Sequence, residues 1–183
     1  CEIQEIPLPP KNMLELPRYD GEFNLEKVIS YKTKNLVSHE TMEAVIQTLK
    51  EALEFMNSQC TVLVHGDFLL QNIMNVGDIL YIIDWEFAGI GNIAYDDATL
   101  WVTTFKNNAF RKSFLMRCLA NSVDSTIFKR LFVLNLLRLY LREIKTCQET
   151  NSLPVLKQEV ISNSKKELER ALCDFDTLVS LSD

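Results

Sequence analysis

A change of pattern in the middle of the chain constrains its fold more than any other feature. Residues 38–58 carry apolar side chains at the 3.6-residue spacing of a helix. Two short β-branched runs follow, at residues 61–64 and 79–83, and a turn sequence at residues 75–78 precedes the second run. From residue 94 onwards the pattern is helical again. The sequence therefore predicts a mostly helical α+β protein with a small β-hairpin in its middle.

Capping residues and prolines indicate where the elements begin. Ser38 suits the N-cap of the first helix, and Asp124 suits the N-cap of a helix that extends to about Lys145. This second helix is apolar on most sides, so we expect it to be buried. Pro154 lies in the first turn of a last helix. Residues 7–24 contain four of the five prolines, which predicts an extended, turn-rich connector.

Length and charge restrict the class of partner. With 183 residues, of which 47% are hydrophobic, the chain can form one domain with its own core. The net charge of −6 and the lack of any Lys- or Arg-rich run argue against nucleic-acid binding. No stretch approaches 18 uncharged apolar residues, so no membrane span is expected. A neutral or cationic small molecule is the partner that this charge accommodates best.

The cysteines indicate a reducing compartment. The sequence contains five of them, widely spread and without a C-x-x-C pair. This pattern predicts reduced thiols in a cytoplasmic protein, rather than a zinc knuckle or a disulfide framework. The sequence starts at Cys1 with neither an initiator methionine nor a signal sequence, so we expect it to be cut from a longer protein.

Polar residues gather around the expected hairpin. If residues 73–76 pair with residues 79–83, Asn72 and Asp84 stand nearly opposite each other at its open end. An amide oxygen and a carboxylate are hard oxygen ligands that suit Mg²⁺, which keeps its other positions for water and phosphate. Asp67, on the loop that enters the first strand, could accept a proton from an attacking hydroxyl. Phosphoryl transfer requires this combination of metal ligands and base.

Two motifs resemble those of a known family. H-G-D-x₄-N at residues 65–72 and I-D-W-E-x-A-G at residues 83–89 resemble the catalytic and metal loops of the aminoglycoside phosphotransferase and choline kinase superfamily. The resemblance is strong over residues 64–98. It implies the C-terminal lobe of a protein-kinase-like fold with a small catalytic β-hairpin. Residues 1–37 would then be the linker and interlobe segment, and residues 38–183 the helical lobe.

The resemblance also implies roles for single residues. Asp67 would be the catalytic base, Asn72 a Mg²⁺ ligand, and Asp84 the carboxylate that bridges the metal and the phosphates of ATP. Asp96 would brace the catalytic loop through its backbone amides, and His65 would orient this loop by packing. The cofactors implied are Mg²⁺ and ATP.

The sequence departs from related kinases at two points. Leu69 stands where a protein kinase places a phosphate-contacting lysine, which disfavours a protein substrate. The Gly-rich loop and the strand lysine that cover ATP should lie upstream, and the five glycines and the Pro-rich start do not supply them. We therefore expect the N-terminal lobe to lie upstream of Cys1 or in another chain.

Other residues near the motifs have two interpretations. Glu86 is either a second metal or substrate carboxylate or a solvated loop acid. Trp101 and Tyr95 either stack on a cationic substrate, with Trp101 as a substrate-binding residue, or belong to the core, where aromatic residues at helical spacing more often lie. The G-x-G-x-x-A pattern at residues 89–94 is rejected as a dinucleotide fingerprint, because no acidic residue follows about 20 residues on.

The function expected from these residues is ATP- and Mg²⁺-dependent transfer of a phosphoryl group to a hydroxyl of a small molecule. The acidic charge and the D-W-E-x-A-G segment favour a cationic alcohol such as choline or an aminoglycoside as the acceptor. The alternative is a non-catalytic kinase-like binding module, or an isolated lobe that is inactive without its N-terminal half.

Overall fold

The computed structural model describes residues 16–150 and 154–180. Within these ranges the helices are α1 (Gly21–Tyr31), α2 (His39–Glu51), α3 (Leu53–Ser58), α4 (Tyr95–Thr103), α5 (Asn108–Asn121), α6 (Ser125–Glu149), α7 (Pro154–Cys173) and α8 (Phe175–Val179). The strands are β1 (Val62–Val64), β2 (Ile73–Val76), β3 (Ile79–Ile82) and β4 (Gly89–Gly91). This architecture confirms the mostly helical α+β fold of a kinase-like lobe.

The long helix α6 is the centre of the core. It packs against α1, α4 and α7, and smaller contacts reach α2, α5 and α8. Its apolar side chains are buried on several sides of the helix, as the sequence predicts: Phe128, Leu131, Phe132, Leu134, Leu136, Leu137, Leu139, Leu141 and Ile144. Each side chain buried in this way stabilises the fold by about 1.5–3 kcal/mol. None of the helices in the described ranges is long and apolar enough to cross a membrane.

Helix N-termini are capped where the sequence predicts. The Ser38 Oγ accepts a hydrogen bond from the backbone N–H of Thr41 at 3.1 Å. Asp124 Oδ1 accepts hydrogen bonds from the backbone N–H groups of Thr126 and Ile127, at 2.8 and 3.1 Å. These side-chain oxygens satisfy N–H groups that have no partner within the helix.

The predicted hairpin forms from β2 and β3. Ile73 pairs with Ile82 and Val76 with Ile79, which leaves a two-residue turn. Gly77, the first turn residue, has a φ of 66°, a conformation that glycine adopts without steric cost. The open end of this hairpin is therefore at residue 72, at the end of the H-G-D-x₄-N motif.

A second two-stranded sheet was not predicted. β1 pairs with β4 in antiparallel register, with Leu63 opposite Ile90. β4 has the sequence Gly-Ile-Gly, and glycine is depleted in strands, so local propensity gave no signal for it. Its pairing depends on a strand that lies far away in the sequence.

The structure corrects the prediction of an extended connector at the N-terminal end of the chain. The extended prediction for residues 7–24 is wrong for its last part, because α1 starts at Gly21. Asp20 caps this helix by accepting a hydrogen bond from the backbone N–H of Phe23 at 3.0 Å. Asn24, in the first turn, is buried and accepts a hydrogen bond from Arg138 of α6 at 2.7 Å. The part of the prediction before residue 16 lies outside the described residues, as does Cys1.

Two predicted helices are interrupted. The helix predicted for residues 38–58 breaks at Ala52, whose φ and ψ of −96° and 0° separate α2 from α3. The last helix breaks at Asp174, which has extended φ and ψ angles. The Asp174 carboxylate then caps α8 by accepting a hydrogen bond from the backbone N–H of Thr177 at 2.6 Å. The helical spacing of apolar residues continues through Ala52 and Asp174, so this spacing did not predict where the helices end.

A buried polar cluster joins α5, α6 and α7. Arg111 Nη2 lies 2.7 Å from Glu167 Oε2, and both side chains are almost fully buried. Tyr140 of α6 donates its hydroxyl hydrogen to the same Glu167 oxygen at 2.8 Å. Because these charges are removed from water, each depends on the other to offset its desolvation.

We expect Glu167→Gln to lower the free energy of unfolding by about 3–5 kcal/mol, because it leaves the Arg111 charge buried and unpaired. The measurement is urea unfolding followed by circular dichroism. Glu159→Gln on the same helix is the matched control: its ion pair with Lys106 is about half exposed, and we expect a loss of at most about 1 kcal/mol. Equal losses in the two variants would contradict this role of Glu167.

A second acid, the half-buried Asp97, links α4 to α5. Burial raises the pKa of Asp97 from 3.8 to about 7, with a further rise from the neighbouring Asp96 carboxylate. A hydrogen bond with the Cys118 thiol acts in the opposite direction. Because the folded protein holds this proton up to a higher pH than the unfolded chain, the contribution of Asp97 to stability is greatest below about pH 4 and is lost as the pH rises through about 7.

We therefore expect the Asp97→Asn variant to gain stability relative to the unsubstituted protein as the pH rises from 5 to 8. The difference in unfolding free energy should change by at most about 1.4 kcal/mol per pH unit. Chemical denaturation at both pH values measures it. Asp176→Asn, at a side chain that is 90% exposed, is the control. A difference that stays constant with pH would contradict the raised pKa of Asp97.

Candidate active site

The loop at residues 65–67 is held by the carboxylate of Asp96. This residue lies in the first turn of α4 and accepts hydrogen bonds from the backbone N–H groups of His65 at 2.7 Å and Gly66 at 3.1 Å. Gly66 has a φ of 82°, and a Cβ there would collide with the backbone carbonyl of Phe87. The bracing role that the resemblance implies for Asp96 is confirmed.

Burial raises the pKa of Asp96, and the two backbone N–H bonds act against this rise. A carboxylate that accepts both bonds fixes two consecutive peptide groups at once. The loop conformation is therefore coupled to the position of α4, which packs against α6.

His65 connects the same loop to the end of β3. Its ring is buried, and Nε2 lies 2.8 Å from the backbone carbonyl of Ile83. Its Nδ1 accepts a hydrogen bond from the backbone N–H of Asp67 at 3.3 Å. Because Nδ1 accepts, the ring hydrogen is on Nε2 and is donated to Ile83. The ring also packs against Trp85, with the ring centroids 4.7 Å apart, so His65 orients the loop by packing and by hydrogen bonding.

Asn72 is buried at the open end of the hairpin. Its Nδ2 donates a hydrogen bond to the backbone carbonyl of Asp67 at 3.0 Å, which leaves Oδ1 as the atom suited to a cation. The backbone carbonyl of Asn72 accepts a hydrogen bond from the N–H of Ile83 at 3.0 Å. Asn72 therefore faces Ile83, one residue before Asp84, close to the juxtaposition that the sequence predicts.

Asp84 has an unusual backbone conformation. Its φ of 67° and ψ of 56° lie in the left-handed region, which aspartate tolerates better than most residues do. A 3₁₀ turn, Trp85–Phe87, follows it, and Trp85 Nε1 donates a hydrogen bond to the backbone carbonyl of Ile82 at 2.8 Å. The side chain of Asp84 is exposed. Strained residues of this kind are frequent at functional sites.

The side chain of Arg142 lies next to that of Asp67. Asp67 Oδ1 lies 4.0 Å from Arg142 Nη1, and the two side chains are 27% and 28% exposed. Sequence reasoning missed Arg142, because nothing in the local pattern of α6 connects it to the catalytic loop. The available signal was an arginine one helical turn after Arg138, in the part of α6 where buried apolar side chains are most frequent.

The prediction of Trp101 as a substrate-binding residue is wrong. Its side chain is completely buried, and Nε1 donates a hydrogen bond to the Tyr140 hydroxyl at 3.0 Å. The Arg111 guanidinium carbon lies 3.8 Å from the centroid of the Trp101 ring and covers it. Tyr95 is also buried, with its hydroxyl accepting a hydrogen bond from Arg138 at 3.0 Å. Both aromatic residues belong to the core.

The remaining predicted residue, Glu86, lies in the exposed 3₁₀ turn after Asp84. Its exposure fits a carboxylate that contacts a metal or substrate and equally fits a solvated acid, so its role stays a prediction.

The donor set at the hairpin suits magnesium. Asn72 and Asp84 offer one amide oxygen and one carboxylate, and the described ranges contain no group of three or more His, Cys, Asp or Glu residues placed to hold a metal ion. Zinc sites use three or four protein ligands that include His or Cys. Mg²⁺ is commonly held by one or two protein oxygens together with water and substrate phosphates. The residues present therefore fit Mg²⁺.

Comparison with known proteins agrees with this geometry. The model of the phosphotransferase enzyme family APH matches residues 1–127, a range that contains the catalytic loop, both sheets and α4. No curated protein matches the chain significantly. The matched range covers 127 of the 183 residues. The chain belongs to the APH phosphotransferase enzyme family, within the aminoglycoside phosphotransferase and choline kinase superfamily.

Proposed function

We propose that this chain carries the catalytic lobe of an ATP- and Mg²⁺-dependent phosphotransferase that acts on a hydroxyl of a small molecule. One observation supports this above all: Ile83 hydrogen-bonds through its N–H to the Asn72 carbonyl and through its carbonyl to the His65 ring. These two bonds tie the segment before Asp84 to both ends of the catalytic loop. The proposed base and the two proposed oxygen ligands therefore belong to segments that these hydrogen bonds join.

Asp67 is the proposed general base. Its backbone is fixed on both sides, because its N–H donates to His65 and its carbonyl accepts from Asn72. Its carboxylate is partly exposed and so can be reached by an acceptor. A fixed backbone with an accessible carboxylate is what proton removal from a bound hydroxyl requires.

Asn72 and Asp84 are the proposed ligands of Mg²⁺, through Oδ1 of the amide and through the carboxylate. Mg²⁺ bound there would neutralise charge on the phosphate oxygens of ATP. The exposed Asp84 makes no ion pair with another residue of the described ranges, so its charge is available to a cation.

The surface of the hairpin supports the proposal that a second lobe covers this one. Six large apolar side chains of the hairpin and its end are 39–67% exposed: Met74, Val76, Ile79, Leu80, Tyr81 and Ile83. Apolar surface of this extent marks an interaction site. We propose that an N-terminal lobe, in the same protein or in another chain, packs here and closes the nucleotide site.

The proposed acceptor is a cationic alcohol, such as choline or an aminoglycoside. The net charge of −6 favours the approach of a cation to this protein. Glu86 adds an exposed carboxylate two residues after Asp84 and is the residue we propose for contact with the acceptor. Trp101 is not proposed to contact the acceptor, because it is buried in the core.

We expect Asp67→Asn to lower kcat about 10²–10⁴-fold, because it removes the general base and preserves the shape of the side chain. The KM for ATP should stay within about threefold, since Asp67 does not hold the nucleotide. Steady-state kinetics in the intact protein, with choline and aminoglycosides as acceptors, measures both values. Turnover by this variant at the wild-type rate would remove Asp67 from the proposed role.

We expect Asp84→Asn to weaken Mg²⁺-dependent ATP binding at least about 100-fold, since even outer-shell partners of a metal site contribute about 10–100-fold. Asparagine tolerates the left-handed backbone, so the turn is preserved. Isothermal titration calorimetry with and without Mg²⁺ measures the effect. Asp78→Asn, in the exposed hairpin turn, is the matched control. If the unsubstituted intact protein, with its N-terminal lobe, shows no metal-dependent ATP binding, the chain belongs to a non-catalytic binding module instead.

A further inference from the structure

We propose that Arg142 is a catalytic residue that stabilises the phosphoryl group during its transfer, a role that rests on the proposed function. Two observations lead to it. Arg142 Nη1 lies 4.0 Å from a carboxylate oxygen of Asp67, the proposed base. The loop at residues 66–72 contains no Lys or Arg, with Leu69 two residues after Asp67, so the loop itself supplies no cation.

The helix α6 places Arg142 with precision because Arg138, one turn earlier on the same face, is locked in the core. Arg138 donates hydrogen bonds to Asn24 at 2.7 Å and to the Tyr95 hydroxyl at 3.0 Å. Tyr95 is the first residue of α4, and the next residue, Asp96, holds the catalytic loop. The helix that carries Arg142 and the loop that carries Asp67 are therefore fixed to each other through these bonds.

The position of Arg142 on α6 has an electrostatic cost, because it lies one turn from the buried Arg138. Like charges one turn apart on a helix repel each other. Burial lowers the pKa of Arg138, and the charge of Arg142 contributes to the same lowering. Arg142 thus disfavours the charge of the buried Arg138 beside it. Its own charge is compensated by the Asp67 carboxylate and by the neighbouring Glu143, where it acts against the rise in pKa that burial causes.

The distance between Arg142 and Asp67 leaves the guanidinium and the carboxylate free to bind other groups. A direct charge-assisted hydrogen bond measures about 2.7–2.9 Å, whereas this pair is separated by 4.0 Å. The guanidinium group therefore keeps N–H donors for another acceptor. A planar guanidinium matches the spacing of phosphate oxygens and holds them with two parallel hydrogen bonds.

In the transfer step, the acceptor oxygen forms a bond to the γ-phosphorus of ATP, and its proton passes to the Asp67 carboxylate. The bond from the γ-phosphorus to the β,γ-bridging oxygen breaks, and its electron pair leaves with ADP. Arg142 gains and loses no proton in this step. It donates N–H groups to the non-bridging oxygens, on which negative charge is concentrated during transfer.

The test uses phosphotransfer kinetics of the intact protein carrying Arg142→Gln. We expect kcat to fall about 10³-fold, the lower end of the contribution of an arginine finger, with little change in the KM for ATP. Arg142→Lys should retain more activity than the Gln variant, because it keeps the charge but not the planar fork. Arg117→Gln, at an exposed arginine of α5, is the matched control and should leave kcat unchanged.

A second variant distinguishes a catalytic cation from a structural one. Adding Leu69→Lys to the Arg142→Gln protein returns a cation to the loop, and we expect kcat to recover at least about tenfold. If Arg142 acted only by keeping Asp67 ionised, the Gln variant would instead regain the wild-type kcat at high pH. That regain, or full activity of Arg142→Gln at all pH values, would overturn the inference while leaving the proposed function intact. An unsubstituted protein without any phosphotransfer would overturn both.

Discussion

The site depends first on one carboxylate that accepts two backbone hydrogen bonds. Asp96 binds the N–H groups of His65 and Gly66, and without it both donors would be left in a partly buried loop without partners. Leaving a buried donor without a partner costs about 1–3 kcal/mol, so the loop would rearrange. His65 extends the constraint by binding the backbone carbonyl of Ile83. The backbone around Asp67 and before Asp84 is therefore positioned by hydrogen bonds of residues, Asp96 and His65, that have no proposed part in the chemistry.

The helix α6 serves both the core and the site. Its apolar side chains are buried against α4 and α7, which makes it the most constrained element of the lobe. Arg138 is held inside this core, and Arg142, one turn later, reaches the catalytic loop. A long, well-packed helix is a better support for a charged group than a loop is, because packing limits the positions that its side chains can adopt. The stability of the lobe and the proposed role of Arg142 therefore depend on the same helix.

Site residues that are near each other in the sequence could be predicted, and those contributed by distant segments could not. Asn72 and Asp84 flank a short hairpin in the chain, so its pairing was enough to predict that the segment before Asp84 lies beside Asn72. Trp101 shows the limit of periodicity, because helical spacing does not distinguish a residue that lines a pocket from one that fills the core. Arg142 and β4 were missed because their positions depend on packing between distant segments. α1 was missed for the same reason, since its first turn is held by a hydrogen bond from Arg138 of the distant helix α6 to Asn24.

The apolar hairpin has a consequence for the lobe as a separate molecule. The strands β2 and β3 form a sheet of only two strands, so each has an outer edge that is not paired within this sheet. Unpaired edges beside exposed apolar side chains favour self-association between copies. A preparation of this lobe by itself would therefore be prone to concentration-dependent aggregation. Covering of the hairpin by the proposed second lobe would reduce this self-association, so solubility itself would report on the binding of that lobe.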